Sequence, residues 1–247
     1  MNLTSYRTIL FPMSLALIAT LPIAAQRPPR LELSADSNWK FVAGDPSGAE
    51  SRSFDDASWR KVDLPYDWSI EGRTDKKNPT GPGGGFFPAG TGWYRKTFNA
   101  PAEWKAKRVS IEFDGVYRDA TVYLNGHKLR TQPYGYTSFG FDLTPDLDFA
   151  QPNVLAVRVD NSAQPNSRWY SGSGIYRHVR IIVTEPIHVA PWRVFVTTAQ
   201  ASSAAAKITV RTRVANESGA DAGVTVEATI MDAAGKMTGS AQSAGCC

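Results

Sequence analysis

The sequence predicts an all-β fold, made of one complete β-sandwich and part of a second. Three observations support this class. Apolar and polar residues alternate with a period of two in many short runs, which is typical of strands with one buried face. Gly, Pro and Asn residues separate these runs. Helical periodicity is almost absent. Many short strands joined by such turns indicate a sandwich.

The first series of strands lies before Pro186. The alternation is clearest in four segments: residues 109–113, 121–125, 155–159 and 179–183. The dipeptide Asn125-Gly126 ends one of them and predicts a tight hairpin, because both turn positions tolerate a positive φ. Helical structure is limited to short turns, one over residues 101–107 and one just before Trp59.

A second series begins after Pro186. Alternation predicts strands at residues 192–196, 208–214 and 224–230, then a turn at 232–236 and the start of a fourth strand. This is about half of a seven-stranded sandwich, so we expect an uncovered apolar face and open strand edges. The sequence therefore divides into a leader at 1–25, a first sandwich at 26–186 and an incomplete second one at 187–247.

Residues 1–25 have the layout of a secretory signal peptide. Arg7 supplies a positive charge, the stretch from Ile9 to Ala19 is largely apolar, and small residues precede a cleavage site after Ala25. The apolar stretch is short for a membrane span, and an uncleaved anchor is the alternative. We expect a periplasmic or secreted chain with no membrane contact after cleavage.

Charge, histidine and cysteine content exclude several classes of function. The net charge is +4, and no basic run is longer than Lys76-Lys77, so nucleic-acid binding is not predicted. The three histidines fit no zinc-ligand spacing, and we predict neither a metal nor a cofactor. The cysteines Cys246 and Cys247 are adjacent, and a bond between neighbours is strained. The sequence offers no physical account of this pair.

The segment from Asn166 to Arg177, NSRWYSGSGIYR, resembles the signature of the N-terminal sugar-binding domain of family 2 glycoside hydrolases. Five further segments resemble that domain in order and spacing. They are LPYDW (64–68), GWYRKTF (92–98), FDGV (113–116), VYLNG (122–126) and PYGYTSF (133–139). The resemblance covers roughly residues 36–186 and, more loosely, the stretch to about 240. It looks most like bacterial β-galactosidases, although β-glucuronidases and β-mannosidases share the domain.

The resemblance implies a jelly-roll-like sandwich of the galactose-binding type, followed by an incomplete immunoglobulin-like sandwich. It also implies a carbohydrate ligand of the β-galactoside type and a catalytic barrel in the same full-length enzyme. In such enzymes two glutamates on a TIM barrel perform the reaction. This sequence shows no (β/α) repeat, so we assign no catalytic residue and expect the chain to be inactive alone. The pair Asn216-Glu217 superficially matches a catalytic motif but is interpreted as a turn.

Seven residues are predicted to contact the sugar. Carbohydrates are recognised by aromatic faces and by polar side chains that pair with hydroxyl groups. The predicted substrate-binding residues are Asp67, Trp68, Asn166, Ser167, Arg168, Trp169 and Tyr170. An ion pair inside the fold is an equally good role for Arg168. Ser167 stands where the best-known β-galactosidases have an aspartate that contacts galactose and a metal ion, which also favours a site without metal.

Three functions stay open at this point. The first is the non-catalytic front part of a family 2 glycosidase. The second is a free-standing carbohydrate-binding module. The third is an interaction domain for a separate catalytic chain. In all three, Trp39, Trp59 and Trp93 are assigned to the core, and Gly172 and Gly174 permit an unusual backbone in the predicted sugar loop.

Overall fold

The computed structural model describes residues 30–166, 171–202 and 204–247. The strands of the first unit are, in chain order, β1 (Arg30–Ser34), β2 (Trp39–Ala43), β3 (Arg60–Val62), β4 (Tyr66–Asp67), β5 (Gly90–Phe98), β6 (Arg108–Phe113), β7 (Ala120–Leu124), β8 (His127–Gln132), β9 (Phe139–Asp142), β10 (Asn153–Asn161), β11 (Gly174–Ile175) and β12 (Val179–Thr184). Those of the second unit are β13 (Ile187–Ala201), β14 (Ala206–Asn216), β15 (Gly223–Met231) and β16 (Met237–Cys246). The predicted leader at 1–25 lies outside the described residues.

Helices contribute little to the described part of the chain. Its α-helix is α1 (Trp68–Glu71), and single 3-10 turns occur at Pro82–Gly84, Ala102–Trp104 and Thr144–Asp146. None of these described helices has the length and apolar character needed to span a bilayer. The second 3-10 turn falls within the segment 101–107 where the sequence predicts a short helical turn.

Two antiparallel sheets form the first sandwich. One has the strand order β1-β12-β6-β9, and the other has the order β3-β2-β5-β10-β7-β8. The inward residues of β6, Val109, Ile111 and Phe113, are completely buried. Leu155 and Val157 of β10 belong to the same core and come from the opposite sheet. The predicted all-β sandwich is confirmed, because period-two alternation places one apolar face of each sheet against the other.

The outer face of the six-stranded sheet is covered by the segment 44–59. Trp93 and Arg95 of β5 point to this side and are only 3% and 2% exposed. Arg95 Nε donates to Asp56 Oδ2 at 2.8 Å, so the buried cation is paired beneath the loop. Core positions are confirmed for the predicted tryptophans Trp39, Trp59 and Trp93.

The hairpin predicted at Asn125-Gly126 joins β7 to β8. Its two turn residues have φ values of 55° and 90°, and Leu124 pairs with His127 across the turn. The Asn125 side chain also accepts a hydrogen bond from Val154 N at 2.9 Å. The dipeptide therefore fixes both the turn and its attachment to β10.

The second unit consists of two two-stranded sheets, β13–β14 and β15–β16. Their facing residues border an open space of about 1020 Å³, so the two sheets do not close into a packed core. Val194 and Val196 of β13 pair with Thr212 and Val210 on the side of this space, and they are 54% and 56% exposed. The expected uncovered apolar face is therefore present within the described residues.

Two details of the second unit differ from the sequence-based expectation. The fourth strand is not a short start but runs over the full length of β16. Its small and polar residues, MTGSAQSAGC, lack alternation and form a strand through pairing with β15. Trp192 does not alternate regularly with Val194, because the register of β13 shifts between Val189 and Val194 and Trp192 has a φ of 53°.

The second unit contacts the outer face of the four-stranded sheet. Arg108 Nε lies 2.8 Å from Glu217 Oε2, which joins β6 to the turn after β14. The indole of Trp192 lies over Gly140 of β9, where a Cβ added to the glycine would be 3.4 Å from Trp192 Cη2. A crevice of about 190 Å³ remains between the units. The predicted domain limits at residues 25 and 186 stay predictions.

Candidate functional site

Asp67 lies where the two segments that carry the predicted sugar site meet. It ends β4, which pairs with β11 so that Asp67 is opposite Gly174. Its Oδ1 accepts from Ser69 N at 2.9 Å and from Ser173 N at 2.8 Å. The first bond caps α1, and the second attaches the end of the predicted sugar loop. One carboxylate thus fixes both segments.

The electrostatic state of Asp67 reflects its half-buried position. Burial raises the pKa of its carboxyl above the ordinary value of 3.8, and the backbone hydrogen bonds from Ser173 and Ser69 oppose that effect. Its Oδ2 faces Gly172, where a Cβ would be only 1.5 Å away. The carboxylate therefore lies directly against the backbone at residue 172, where a side chain larger than that of glycine does not fit.

A chain of completely buried polar side chains continues from Asp67 into the sandwich. Ser69, Asn161 and Ser173 are all 0% exposed. Ser69 Oγ and Ser173 Oγ are 2.6 Å apart, and Asn161 Nδ2 donates to Ser173 Oγ at 2.8 Å. Buried polar groups of this kind are stable only when they are fully hydrogen-bonded. The network therefore holds residue 173 rigidly.

Asn161 also fixes the other end of the loop. Its Oδ1 accepts from Asn166 Nδ2 and from Gln164 Nε2, each at 3.1 Å. Arg118 Nη1 donates to Asn166 Oδ1 at 3.4 Å. Because one amide holds both ends, residues 166 and 173 are brought close together at this edge of the sandwich. The predicted contacts Ser167, Arg168, Trp169 and Tyr170 fall between them and lie outside the described residues.

The structure places Trp68 in the hydrophobic core. The sequence assigns it to sugar contact, but it is 8% exposed. Its ring stacks on Phe41 with centroids 5.4 Å apart and lies 6.2 Å from the Tyr94 ring. Residue 68 follows Asp67 into α1, and the first residue of this helix points to the core. Its aromatic face is therefore used in packing.

The two loop glycines are required for different reasons. Gly174 has a φ of 126°, and a Cβ there would be 2.1 Å from Tyr94 Oη. Gly172 is required by close approach to Asp67 alone, since its φ is not in the left-handed region. The expectation of an unusual backbone is thus confirmed at Gly174, and at Gly172 the constraint is steric.

Sequence reasoning missed Ser69, Asn161 and Ser173. They carry no strong sequence signal, because serine and asparagine are most often exposed or in turns. Their proximity to the two recognised segments is the one clue that the sequence contains. Only the pairing of β4 with β11 shows that these residues share a network.

Neither a metal centre nor a catalytic barrel is found in the described parts of the chain. No group of three or more His, Cys, Asp or Glu residues among them is arranged to hold a metal ion. All pairings of the described strands are antiparallel, whereas a TIM barrel has parallel strands. Asn216 accepts from Ser218 N at 3.0 Å, which is the turn predicted for Asn216-Glu217.

The fold and the site together define a class of protein: a β-sandwich with a buried polar network at one edge, which ties Asp67 to Ser173 and Asn161 to Asn166. The family model for the sugar binding domain of family 2 glycosyl hydrolases matches residues 38–186. The chain belongs to this family.

Similar proteins agree with this assignment. The chain is 48% identical over 217 residues to the β-galactosidase BoGH2A of Bacteroides ovatus, which covers 88% of this chain and 26% of that enzyme. A putative β-glucuronidase of Formosa agariphila is 40% identical over 169 residues, covering 68% of this chain and 16% of the relative. This chain therefore spans about a quarter or less of these relatives.

Solved structures show the same relation. A family 2 member from Bacteroides cellulosilyticus has a TM-score of 0.83 and 37% identity, and the match covers 87% of this chain and 28% of that one. A Bacteroides uniformis β-glucuronidase has a TM-score of 0.80 and 30% identity, covering 88% of this chain and 26% of that one. The jelly-roll-like sandwich followed by an incomplete immunoglobulin-like sandwich is confirmed.

Proposed function

We propose that this chain is the sugar-binding, non-catalytic part of a glycosidase that removes terminal β-linked galactose. In this function Asp67, Asn166 and the loop residues Ser167, Arg168, Trp169 and Tyr170 help to form the sugar site. A barrel of the same full-length enzyme supplies the catalytic carboxylates. The observation that carries the proposal is the 48% identity with a β-galactosidase over 88% of this chain.

The geometry of the site supports a role in positioning a sugar. The carboxylate of Asp67 and both ends of the loop 166–173 are held by the buried network of Ser69, Asn161 and Ser173. Anchor residues that are fixed before the ligand arrives reduce the conformational freedom that is lost on binding. In this proposal the bond-breaking step belongs to the barrel of the full-length enzyme.

A chimeric enzyme tests the proposal directly. The matching 217-residue region of the B. ovatus β-galactosidase would be replaced by the corresponding region of this chain. We expect the chimera to hydrolyse nitrophenyl β-galactoside and to leave nitrophenyl β-glucuronide largely unchanged. A folded chimera that prefers the glucuronide would assign the chain to the glucuronidase branch and overturn the galactoside proposal.

A glycine substitution in the same chimera tests the site. Gly172→Ala places a Cβ 1.5 Å from Asp67 Oδ2, so the carboxylate or the loop has to move. Because a misplacement of about 1 Å can cost about 10²-fold in rate, we expect kcat/KM to fall by up to that factor. The matched control is Gly83→Ala, since no atom lies within 4 Å of a Cβ at Gly83. Equal kinetics for the two variants would remove Asp67 and the loop from the sugar site.

The two other functions give different results with the unfused chain. A free-standing binding module would bind methyl β-galactoside tightly, whereas a site shared with a barrel should show a dissociation constant of about 1 mM or weaker. An interaction domain for a separate chain would co-purify with a larger glycosidase. Calorimetry and co-purification therefore separate these alternatives from the proposal.

Export to the periplasm or the medium is also proposed, on the basis of residues 1–25. We expect the mature chain to begin at Gln26 and to be found outside the cytoplasm. N-terminal sequencing after cell fractionation measures both. A cytoplasmic chain that retains Met1 would contradict the proposal.

A further inference from the structure

Four tyrosines cluster beside the loop that carries the candidate sugar site. We call Tyr117, Tyr134, Tyr136 and Tyr176 the tyrosine rim. Tyr134 and Tyr136 lie between β8 and β9 and are 57% and 51% exposed. The rings of Tyr134 and Tyr136 have centroids 5.7 Å apart, and Tyr136 is 5.2 Å from the ring of buried Tyr117. The rim therefore presents two aromatic side chains to solvent on a packed base.

The rim is joined to the candidate site by a direct contact. The hydroxyl of Tyr136 lies 3.2 Å from Ser171 Oγ. Ser171 is two residues from Ser173, whose backbone N–H donates to Asp67. Two residues of extended chain span at most about 7 Å. The exposed rings and Asp67 are therefore on the same edge of the sandwich, within reach of a single short oligosaccharide.

The loop between β8 and β9 is fixed before any ligand binds. Tyr117 packs so closely on Gly135 that a Cβ there would be 2.4 Å from Tyr117 Cδ2. Tyr176 Oη donates to Gly135 O at 2.8 Å, and Gln132 Nε2 donates to Tyr134 O at 3.3 Å. Binding to such a loop requires little further ordering of the protein.

We propose that Tyr134 and Tyr136 form a stacking platform for a second sugar ring, so that the site binds a β-linked oligosaccharide and not only its terminal sugar. The inference rests on the proposed function, which supplies the site for the first ring. Tyrosine combines an apolar face for sugar C–H groups with a hydroxyl that hydrogen-bonds. The neighbouring Thr137 and Ser138 are exposed and polar, which suits a hydroxylated ligand better than the apolar centre of a protein interface.

Binding of one-ring and two-ring β-galactosides to the 247-residue chain tests the platform. The probes are methyl β-galactoside and lactose, titrated by NMR with ¹³C-labelled tyrosine rings. If one ring stacks on the platform, lactose should bind roughly tenfold more tightly than methyl β-galactoside. The double variant Tyr134→Ala/Tyr136→Ala should lose this preference while keeping its affinity for the one-ring ligand. Tyr136→Phe keeps the ring and should keep the preference.

The matched control is Phe195→Ala, which removes another exposed aromatic ring, 60% exposed, from the second unit. It should retain the preference for lactose. If the double tyrosine variant still prefers lactose, the platform is wrong. An equal loss of affinity for both ligands would also overturn it, because the tyrosines would then only support the site of the first ring. Thermal unfolding checks that the variants fold. If the double variant does not fold, Tyr134→Ala replaces it, because the Tyr134 side chain is mostly exposed.

Failure of the platform and failure of the proposed function give distinct results. If the wild-type chain binds neither ligand, or binds both equally, the platform is wrong. The proposed function is then still judged by the activity of the chimera with nitrophenyl β-galactoside, a substrate with a single sugar ring.

Discussion

Replacing Gly174 by alanine is expected to destabilise the sandwich through both backbone strain and a steric clash in the core. At this position φ is 126°, and a Cβ would lie 2.1 Å from Tyr94 Oη and 2.6 Å from Tyr66 O. A non-glycine residue in such a backbone region costs roughly 1–3 kcal/mol. Overpacking costs a further 1–3 kcal/mol or so. The sum predicts that Gly174→Ala lowers the free energy of unfolding by about 2–6 kcal/mol.

A matched glycine separates the two contributions. Gly90 has the same φ of 126°, but no atom lies within 4 Å of a Cβ there. Gly90→Ala should therefore cost only the backbone share, roughly 1–3 kcal/mol. The assay is urea unfolding followed by tryptophan fluorescence, with both variants and the wild type at one temperature. An equal loss of stability in the two variants would refute the steric part of the reasoning.

The hydroxyl group of Tyr94 gives a second check on the same contact. It donates to Tyr66 O at 2.7 Å in the core, and Tyr94→Phe removes it while keeping the ring. Because the overlapped oxygen is then gone, Gly174→Ala should cost less in the Tyr94→Phe background than in the wild type. Residues in direct contact commonly show coupling of about 0.5–3 kcal/mol in such cycles. Strict additivity would show that the clash is relieved elsewhere.

Three further predictions concern charge and surface. Arg95→Met should cost roughly 1–3 kcal/mol in urea unfolding, because the carbonyl oxygens of Ala49 and Ser51 lose their buried donor and Asp56 keeps only its pair with Lys40. Arg60→Met at an exposed pair should cost under about 1 kcal/mol. Since the folded-state pKa of Asp67 is raised, its contribution is most favourable at low pH and is lost as pH rises through a window just above 3.8. Asp67→Asn should therefore gain stability relative to wild type as pH rises above 3.8, and a difference that stays constant with pH would contradict this. Val196→Asp should reduce self-association in sedimentation, because Val196 pairs with Val210 on the open apolar face and the substitution adds charge there.

The strands of the first sandwich could be predicted because their signal is local. Alternation in β6 and β10 identifies the buried face directly, and Asn125-Gly126 identifies the hairpin. The same rule was less informative in the second unit. There β16 is a strand by pairing with β15, although its own residues are small and polar. Strand pairing overrides weak local preference.

The candidate site was predictable in its segments but not in the roles of its residues. Asp67 and Asn166 belong to one hydrogen-bonded constellation, as their shared assignment to the sugar site suggested. Trp68 was assigned to the ligand and proved to be core, because sequence cannot tell which side of a strand end a ring faces. The tyrosine pair Tyr134 and Tyr136 was recognised only as part of a family segment. The exposure of the two rings and the contact of Tyr136 with Ser171 depend on the tertiary structure.

By itself, the sequence determined the all-β class, the order of its sugar-domain segments and the absence of helical periodicity, because these depend on neighbours along the chain. Only the tertiary structure decided which distant residues meet. Ser69 and Ser173 are 104 positions apart, and their hydroxyl groups are 2.6 Å from each other. Asp67 and Ser173 are joined across β4 and β11 in the same way. Such contacts are set by strand pairing and by the need to satisfy every buried polar group, and both act across the whole fold.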